Sequence, residues 1–283
     1  MQVRFASEPA PDRQENEDTA FHAGPMVGVL DGVTAPEGVN TGCRHNPAWY
    51  VRRLSAHLSE AAPAATAPSL GDSLAAAIDM VRRDHDGHCD LGNPATPAAT
   101  VCLVRSTGNR FEYLILSDTT LVVEHGDDVL ALTDRRFSDV VAELDRLHPV
   151  PGAPMGSPEF LSWRDAYFAH KYQLTNTAGG YWVANSVPDA AYHAMTGSFP
   201  TRGADGVRRA ALLTDGVSCL VDLYRRMDWA ALLDAISRHG PDAIIQQVRR
   251  TEESHGNGAG TGRRWKRQDD ATAALCTFTD DPG

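Results

Sequence analysis

The sequence has no long apolar stretch. None of its apolar runs approaches the roughly 18 residues that a membrane-spanning helix needs. The first residues, MQVRFASEPAPDRQENED, contain no apolar core of the kind found in secretory signal peptides. We therefore expect a cytoplasmic protein without a membrane partner.

An excess of positive charge is also missing. The 283 residues include 37 acidic and 26 basic side chains, which gives a net charge of -11 with neutral histidine. Nucleic acids and anionic membranes attract proteins of the opposite charge, so this balance argues against a general nucleic-acid binder. It is better suited to a protein that binds cations.

The sequence has few cysteines, and their spacing does not indicate a disulfide or metal motif. The five cysteines are an odd number and include no C-x-x-C pair. Cys102, Cys219 and Cys276 lie inside apolar runs, which favours buried, reduced thiols over a disulfide framework.

One short segment gathers possible zinc ligands. The stretch DHDGHCD at 84–90 contains His85, His88 and Cys89. It lacks the two-pair spacing of structural zinc sites, so we interpret it as the polar end of a helix.

Several catalytic motifs are absent as well. The sequence contains no G-x-S-x-G, no G-x-x-x-x-G-K-[ST] and no H-E-x-x-H. Serine hydrolases with a nucleophile elbow, P-loop nucleotide enzymes and zinc proteases of the H-E-x-x-H class therefore have no support.

Apolar periodicity predicts both strands and helices. Strand-like runs, bounded by Gly, Asp or Pro, are QVRFAS, MVGVLD, ATVCLVR, FEYLILSD, TLVVEHG, RAALLTD and ATAALCTFT. Helical spacing occurs at 47–62 and 69–86, and in DWAALLDAISRHG and PDAIIQQVRRTEE. Because strands and helices do not alternate strictly, antiparallel sheets covered by helices fit better than a doubly wound parallel sheet.

The length and the 42% hydrophobic content suit one large domain over 1–283. Within it, residues 133–200 follow the periodic scheme poorly and begin near the turn-rich LHPVPGAPMGSPEF. We interpret this segment as a variable, flap-like insertion.

Two apolar runs end in the same tripeptide. VGVLDGV leads into Asp31 and Gly32, and ALLTDGV leads into Asp215 and Gly216. If both are core strands, their carboxylates emerge at one rim, where clustered negative charge is unfavourable unless a divalent cation binds. Alternatively, each Asp-Gly pair is only a turn signal after a strand.

Further acidic residues accompany these pairs. In chain order the segments are R-Q-E-N-E-D with Arg13, Glu17 and Asp18, then Asp31-Gly32, TPAATVCLV, Ser117-Asp118-Thr119, Asp215-Gly216 and Asp269-Asp270. Together they resemble the ordered signature of the metal-dependent serine/threonine protein phosphatases of type 2C (PPM), in their bacterial form. The resemblance spans residues 13–279.

The resemblance implies a fold and a metal site. The fold is α+β, with a central β-sandwich of two antiparallel sheets flanked by helix pairs in four α-β-β-α layers. Two divalent cations, Mn²⁺ or Mg²⁺, lie at one end of the sandwich. Asp31 bridges them, Asp215 and Asp269 complete one site, and the Gly32 carbonyl and a water held by Glu17 complete the other.

The resemblance also implies roles in catalysis. Asp118, together with Asp215, corresponds to the ligands of a weaker third ion, and Arg13 corresponds to the arginine that clamps the substrate phosphate. The alternative for Arg13 is a surface residue that balances Asp12 and Glu15. The expected reaction is removal of phosphate from phosphoserine or phosphothreonine in a protein, by attack of a metal-bridging water.

Two departures leave alternatives open. Many family members have a histidine after the first Asp-Gly, as a proton donor to the leaving group, where this sequence has Val33. Ser117-Asp118-Thr119 matches the family's G-D-S loosely. The alternatives are a phosphatase of a small phosphometabolite on the same scaffold, and a catalytically weak protein that acts as a signalling or binding module.

Overall fold

Two five-stranded antiparallel sheets form the centre of the molecule. The computed structural model describes residues 1–62, 68–255 and 268–278. Its strands are β1 (Gln2–Glu8), β2 (Asp18–Ala23), β3 (Met26–Val33), β4 (Ala98–Thr107), β5 (Arg110–Leu116), β6 (Thr120–His125), β7 (Asp128–Thr133), β8 (Met195–Pro200), β9 (Val207–Leu213) and β10 (Ala271–Thr277). One sheet has the order β1-β10-β9-β6-β7 and the other the order β2-β3-β4-β5-β8.

Seven α-helices accompany the sheets in the described part of the chain. They are α1 (Pro47–Ala61), α2 (Leu70–Asp84), α3 (Arg136–Leu147), α4 (Pro158–Gln173), α5 (Asp215–Asp222), α6 (Trp229–His239) and α7 (Pro241–His255). A 3-10 helix covers Pro188–His193.

Apolar side chains form three cores, one between the two sheets and one between each sheet and its helices. The space between the sheets holds residues of both, among them Val29 of β3 and Leu212 of β9. The outer face of the β2-β3-β4-β5-β8 sheet packs on α1 and α2, and that of the other sheet packs on α5, α6 and α7. The expected four-layer α+β sandwich is confirmed, and it explains why β3 and β4 are apolar on both faces.

Side-chain caps fix where several helices begin. The side chain of Asn46 accepts from the main-chain N–H of Trp49 at 2.9 Å, and Ser69 accepts from that of Asp72 at 3.0 Å. Asp228 caps α6 in the same way. These bonds satisfy N–H groups that lack partners within the helix, so α1, α2 and α6 start at fixed positions.

Residues 133–200 contain more regular structure than the periodicity predicts. They hold α3, α4 and the 3-10 helix, and they end in β8, which pairs with β5 at the edge of one sheet. The 3-10 helix contributes Ala190 and Ala191 to the cluster under α2.

The helices and the cysteines can be compared with what the sequence predicts. Among the described residues, no helix is both long and apolar enough to cross a membrane. Cys102, Cys219 and Cys276 are buried, as their apolar surroundings predict.

Candidate functional site

Asp31 lies within a strand, not at its end. β3 continues two residues further to Val33, and Asp31 stands opposite Asp18 of β2 and Thr100 of β4 in the antiparallel register. The pairing with β2 therefore places two carboxyl groups side by side on neighbouring strands.

Asp215 is the first residue of α5, directly after β9. The main-chain N–H of Thr214 donates to the carbonyl of Thr272 at 3.0 Å, and the Thr214 hydroxyl donates to Asp18 at 2.8 Å. These bonds tie the start of α5 to β10 and to β2, and so to the other acidic residues.

Four other carboxyl groups lie within electrostatic range of Asp31. Its pKa is raised well above the ordinary value, first by burial and then by the negative charges of Asp18, Asp215, Asp269 and Asp118. The structure thus brings together carboxyl groups from five separated segments. Such a group of oxygens is the ligand type that Mg²⁺ and Mn²⁺ prefer.

Asp118 lies in the turn between β5 and β6, after Ser117, which has a positive φ of 70°. Burial raises its pKa, Asp134 raises it further, and the positive charge of Lys171 on α4 opposes that rise. The segment 133–200 therefore places a cation beside the acidic group. No motif in the sequence marks Lys171, so its position beside the acidic residues is known only from the structure.

Gly32 and Gly216 each lie where another part of the main chain passes in close contact. A Cβ at Gly32 would lie 2.6 Å from the carbonyl oxygen of Glu17, and one at Gly216 would lie 1.9 Å from that of Asp270. In each Asp-Gly pair, a segment carrying other acidic residues passes directly over the glycine. Only a residue without a side chain allows such an approach.

Asp270 fastens the N-terminal segment to β10. It is buried, and its two carboxylate oxygens accept from the main-chain N–H groups of Ala10 and Glu17, each at 2.7 Å. Next to it, the main-chain carbonyl of Asp269 accepts from the guanidinium of Arg249 at 2.8 Å. Asp270 therefore holds main-chain segments together, and its charge acts on Asp18, whereas the charge of Asp269 acts on Asp31.

Arg13 is held beside the acidic group. Its guanidinium pairs with Glu17, donates to the hydroxyl of Thr34 at 3.3 Å and lies 3.7 Å from Asp270. The Thr34 hydroxyl in turn donates to Glu17. These contacts place Arg13 beside two acidic residues of the motif, Glu17 and Asp270.

A cleft of about 540 Å³ opens beside the cluster. Asp118 and Asp215 line it together with Asp134, Asp139 and Asp222, and Arg135 is the basic residue in the lining. The acidic rim is thus accessible from a concave surface, where small ligands and substrate side chains commonly bind.

Val33 faces an apolar environment. It packs with Phe137, Val140 and Leu174 against the buried cluster of Ala98, Tyr181 and Val183. These partners, except Ala98, come from the segment 133–200, so the residue after Asp31-Gly32 helps to anchor that segment beside the acidic group.

No family model and no curated protein matches the sequence of this chain. Solved structures do match its fold over nearly their whole length. The catalytic domain of the serine/threonine protein phosphatase PstP, in complex with two manganese ions, is 14% identical with a TM-score of 0.58, covering 99% of this chain and 98% of its own.

Two other solved structures are similar to the same extent. Stp1 from Staphylococcus aureus, a serine/threonine phosphatase, is 11% identical with a TM-score of 0.59, covering 99% of this chain and 95% of its own. PppA, a regulatory component of the type VI secretion system in Pseudomonas aeruginosa, is 17% identical with a TM-score of 0.58, covering 98% and 97%. At these identities the likeness establishes a common fold.

Proposed function

We propose that this chain is a metal-dependent phosphatase that removes phosphate from phosphoserine or phosphothreonine in proteins. The observation that carries the proposal is the group of carboxyls around Asp31, brought together from five segments at one end of the sandwich. The fold of solved serine/threonine phosphatases, one of them with two manganese ions, supports it.

The donor set fits hard divalent cations. Asp31, Asp215 and Asp269 would hold two Mn²⁺ or Mg²⁺ ions together with the Gly32 carbonyl and a water held by Glu17, and Asp118 would contribute to a weaker third site. The raised pKa of Asp31 supports this assignment, because a cation relieves the repulsion among its neighbours. When bound, the ions lower the pKa of a water molecule and stabilise charge on the reacting phosphate.

Arg13 would bind the phosphate. Its contacts to Glu17 and Thr34 use two of the five N–H donors of the guanidinium, so donors remain for an oxyanion. The same contacts hold its planar fork in place before substrate arrives, which suits recognition of two phosphate oxygens at once.

The segment 133–200 would act as the substrate-facing insertion of a single domain over 1–283. Lys171 and the cleft residues Asp134 and Asp139 belong to it and lie beside the acidic rim. Because the side chain of Val33 has no proton to donate, the proton for the leaving group would come from another donor. A cytoplasmic location, as expected from the sequence, completes the proposal.

Metal removal tests the proposed reaction. Protein treated with chelator and freed of it by gel filtration should hydrolyse p-nitrophenyl phosphate at least ~100-fold more slowly than the same protein after addition of Mn²⁺. Calcium added in place of Mn²⁺ is the matched control for a nonspecific ion effect, because Ca²⁺ takes the same type of oxygen ligand. Hydrolysis that is unchanged by chelation would contradict the proposal.

Substrate preference then separates the protein substrate from the small phosphometabolite. Under the same conditions we expect kcat/KM for phosphoserine and phosphothreonine peptides to exceed that for free sugar phosphates and nucleotides. The reverse order would assign the site to a small molecule. Metal binding without turnover of any of these would indicate a signalling or binding module.

A further inference from the structure

Four metal-ligating side chains meet at a second place in the molecule, apart from the acidic group. The ligand atoms of Cys43, His45, His85 and Cys89 all lie within 4.8 Å of one another. Cys43 and His45 belong to the loop between β3 and α1, and His85 and Cys89 follow α2. In the sequence, His85 and Cys89 stand together in the segment 84–90, whereas Cys43 and His45 lie 40 or more residues before His85.

Two of the separations between these atoms match those of a tetrahedral site, and a third is close to it. The Nδ1 atom of His45 lies 3.5 Å from Cys43 Sγ and 3.6 Å from Cys89 Sγ. Zinc bonds of 2.3 Å to sulfur and 2.0 to 2.1 Å to nitrogen, set at tetrahedral angles, place sulfur and nitrogen about 3.6 Å apart. The two sulfurs are 3.2 Å apart, about half an ångström closer than the same geometry gives. Since all four ligand atoms lie within 4.8 Å of one another, side-chain rotations bring them to tetrahedral spacing around one ion.

Both imidazoles are oriented towards the cluster. Nδ1 of the buried His85 bonds to the carbonyl of Val81 at 2.8 Å, which leaves Nε2 as its ligand atom. The ring of His45 stacks on Trp49 with centroids 3.8 Å apart, and its main-chain N–H donates to Cys43 Sγ at 3.3 Å. A hydrogen bond from the second ring nitrogen to a carbonyl, as at His85, is the usual support of a zinc-bound histidine.

The main chain holds the two ligand pairs together without help from a covalent bond. The N–H of Asp90 donates to the carbonyl of Gly42 at 2.7 Å, and the side chain of Asn93 donates to the carbonyl of Asn40 at 2.9 Å. Gly42 has a positive φ of 67°, and a Cβ there would lie 3.0 Å from Asp90. The two segments thus approach closely enough for both pairs to bind one ion.

We propose that Cys43, His45, His85 and Cys89 bind one structural Zn²⁺ ion. A set of two thiolates and two imidazoles favours Zn²⁺ over the hard ions expected at the carboxylates, and four protein ligands leave no open position for catalysis. The ion links the loop after β3 to the end of α2. That loop ends at Asn46, the cap of α1, so the site stabilises the α1–α2 layer independently of the proposed function.

A disulfide between Cys43 and Cys89 is the competing outcome. The sulfurs are 3.2 Å apart, and a disulfide requires about 2.05 Å. A disulfide would also leave two oriented imidazoles beside it without a role. Zinc accounts for all four side chains.

Metal content and cobalt spectroscopy test this proposal. Protein purified under reducing conditions should contain one zinc ion per chain by mass spectrometry, and Cys89→Ser should retain about a tenth or less of it. Replacement of zinc by Co²⁺ should give intense visible bands and thiolate-to-cobalt charge transfer, which carboxylate sites do not produce. The melting temperature of Cys89→Ser should fall by several degrees and no longer respond to zinc.

Two controls keep the test decisive. His88→Ala changes an exposed histidine of the same turn and should keep the full zinc content. Asp31→Asn changes the carboxylate group and should also keep it. If Cys89→Ser does not fold, release of one zinc ion from the parent protein by a thiol-blocking mercurial gives the same answer. Absence of zinc, zinc content equal in Cys89→Ser and the parent, or a Cys43–Cys89 disulfide in the reduced preparation would overturn the proposal.

Discussion

Replacing Asp31 by Asn is expected to reduce Mn²⁺-dependent hydrolysis of p-nitrophenyl phosphate by about 10³-fold or more, equivalent to roughly 4 kcal/mol of transition-state stabilisation. Asp31 is the carboxyl on which the charges of Asp18, Asp215, Asp269 and Asp118 act together. An asparagine of nearly the same shape keeps the packing but removes the negative charge that two cations would share.

The same variant should behave differently in stability. Without metal, Asp31→Asn should unfold at a temperature equal to or above that of the parent, because one of several mutually repelling carboxylates has gone. Added Mn²⁺ should raise the melting temperature of the parent and have much less effect on the variant. A simple folding defect would instead lower stability with and without metal.

The matched control is Asp127→Asn. The side chain of Asp127 is fully exposed and carries the same charge, so hydrolysis and melting temperature should stay close to those of the parent. Retention of Mn²⁺-dependent hydrolysis within about tenfold in Asp31→Asn would contradict the central position of Asp31.

Replacing Gly216 by Ala should destabilise the protein by about 3 kcal/mol, at the upper end of the usual cost of overpacking. The added Cβ would lie 1.9 Å from the carbonyl oxygen of Asp270, and this oxygen belongs to main chain that cannot rotate away. For a chain of this size, the melting temperature should fall by roughly 6 to 12 °C. Hydrolysis should fall too, because Asp215 and Asp269 lie on the two segments forced apart.

Gly152→Ala is the control for this effect. A Cβ at Gly152 would have no atom within 4 Å, and its φ lies outside the left-handed region, so its melting temperature should stay within about 1 °C of the parent. A melting temperature for Gly216→Ala equally close to that of the parent would show that the crossing of α5 and β10 is looser than described.

Apolar runs and helical spacing were enough to predict the main layers. The runs that became β3, β4, β9 and β10 are buried on both faces, so they are continuous in sequence and easy to recognise. The predicted ranges of α1 and α2, 47–62 and 69–86, follow from their amphipathic spacing and agree closely with the observed helices. The burial of these elements is visible in the apolar pattern of their own residues, which is why the sequence alone identifies them.

Other elements were missed for physical reasons. β2, β7 and β8 are short and all three lie at sheet edges, where polar and apolar residues mix. The helix α5 was missed because its first residues, Asp215 and Gly216, are typical of a turn. The helix α4 has its apolar residues spread around the axis, so its periodicity is weak.

The acidic residues were predicted as a set, and the family resemblance implied a role for each ligand but none for Asp270. The sequence places Asp269 and Asp270 together, but only the structure shows that Asp270 bonds to the main chain of Ala10 and Glu17. Lys171 depends on how α4 packs, and the Cys-His cluster depends on two segments far apart in sequence. Such relations are tertiary, and no local pattern encodes them.

The most direct test of the central claim is an anomalous diffraction measurement at the manganese edge on a crystal grown with Mn²⁺. The account predicts two strong peaks between Asp31, Asp215 and Asp269, and an optional weaker third peak near Asp118. A well-ordered crystal with no peak in contact with Asp31, and with manganese bound elsewhere or nowhere, would contradict it.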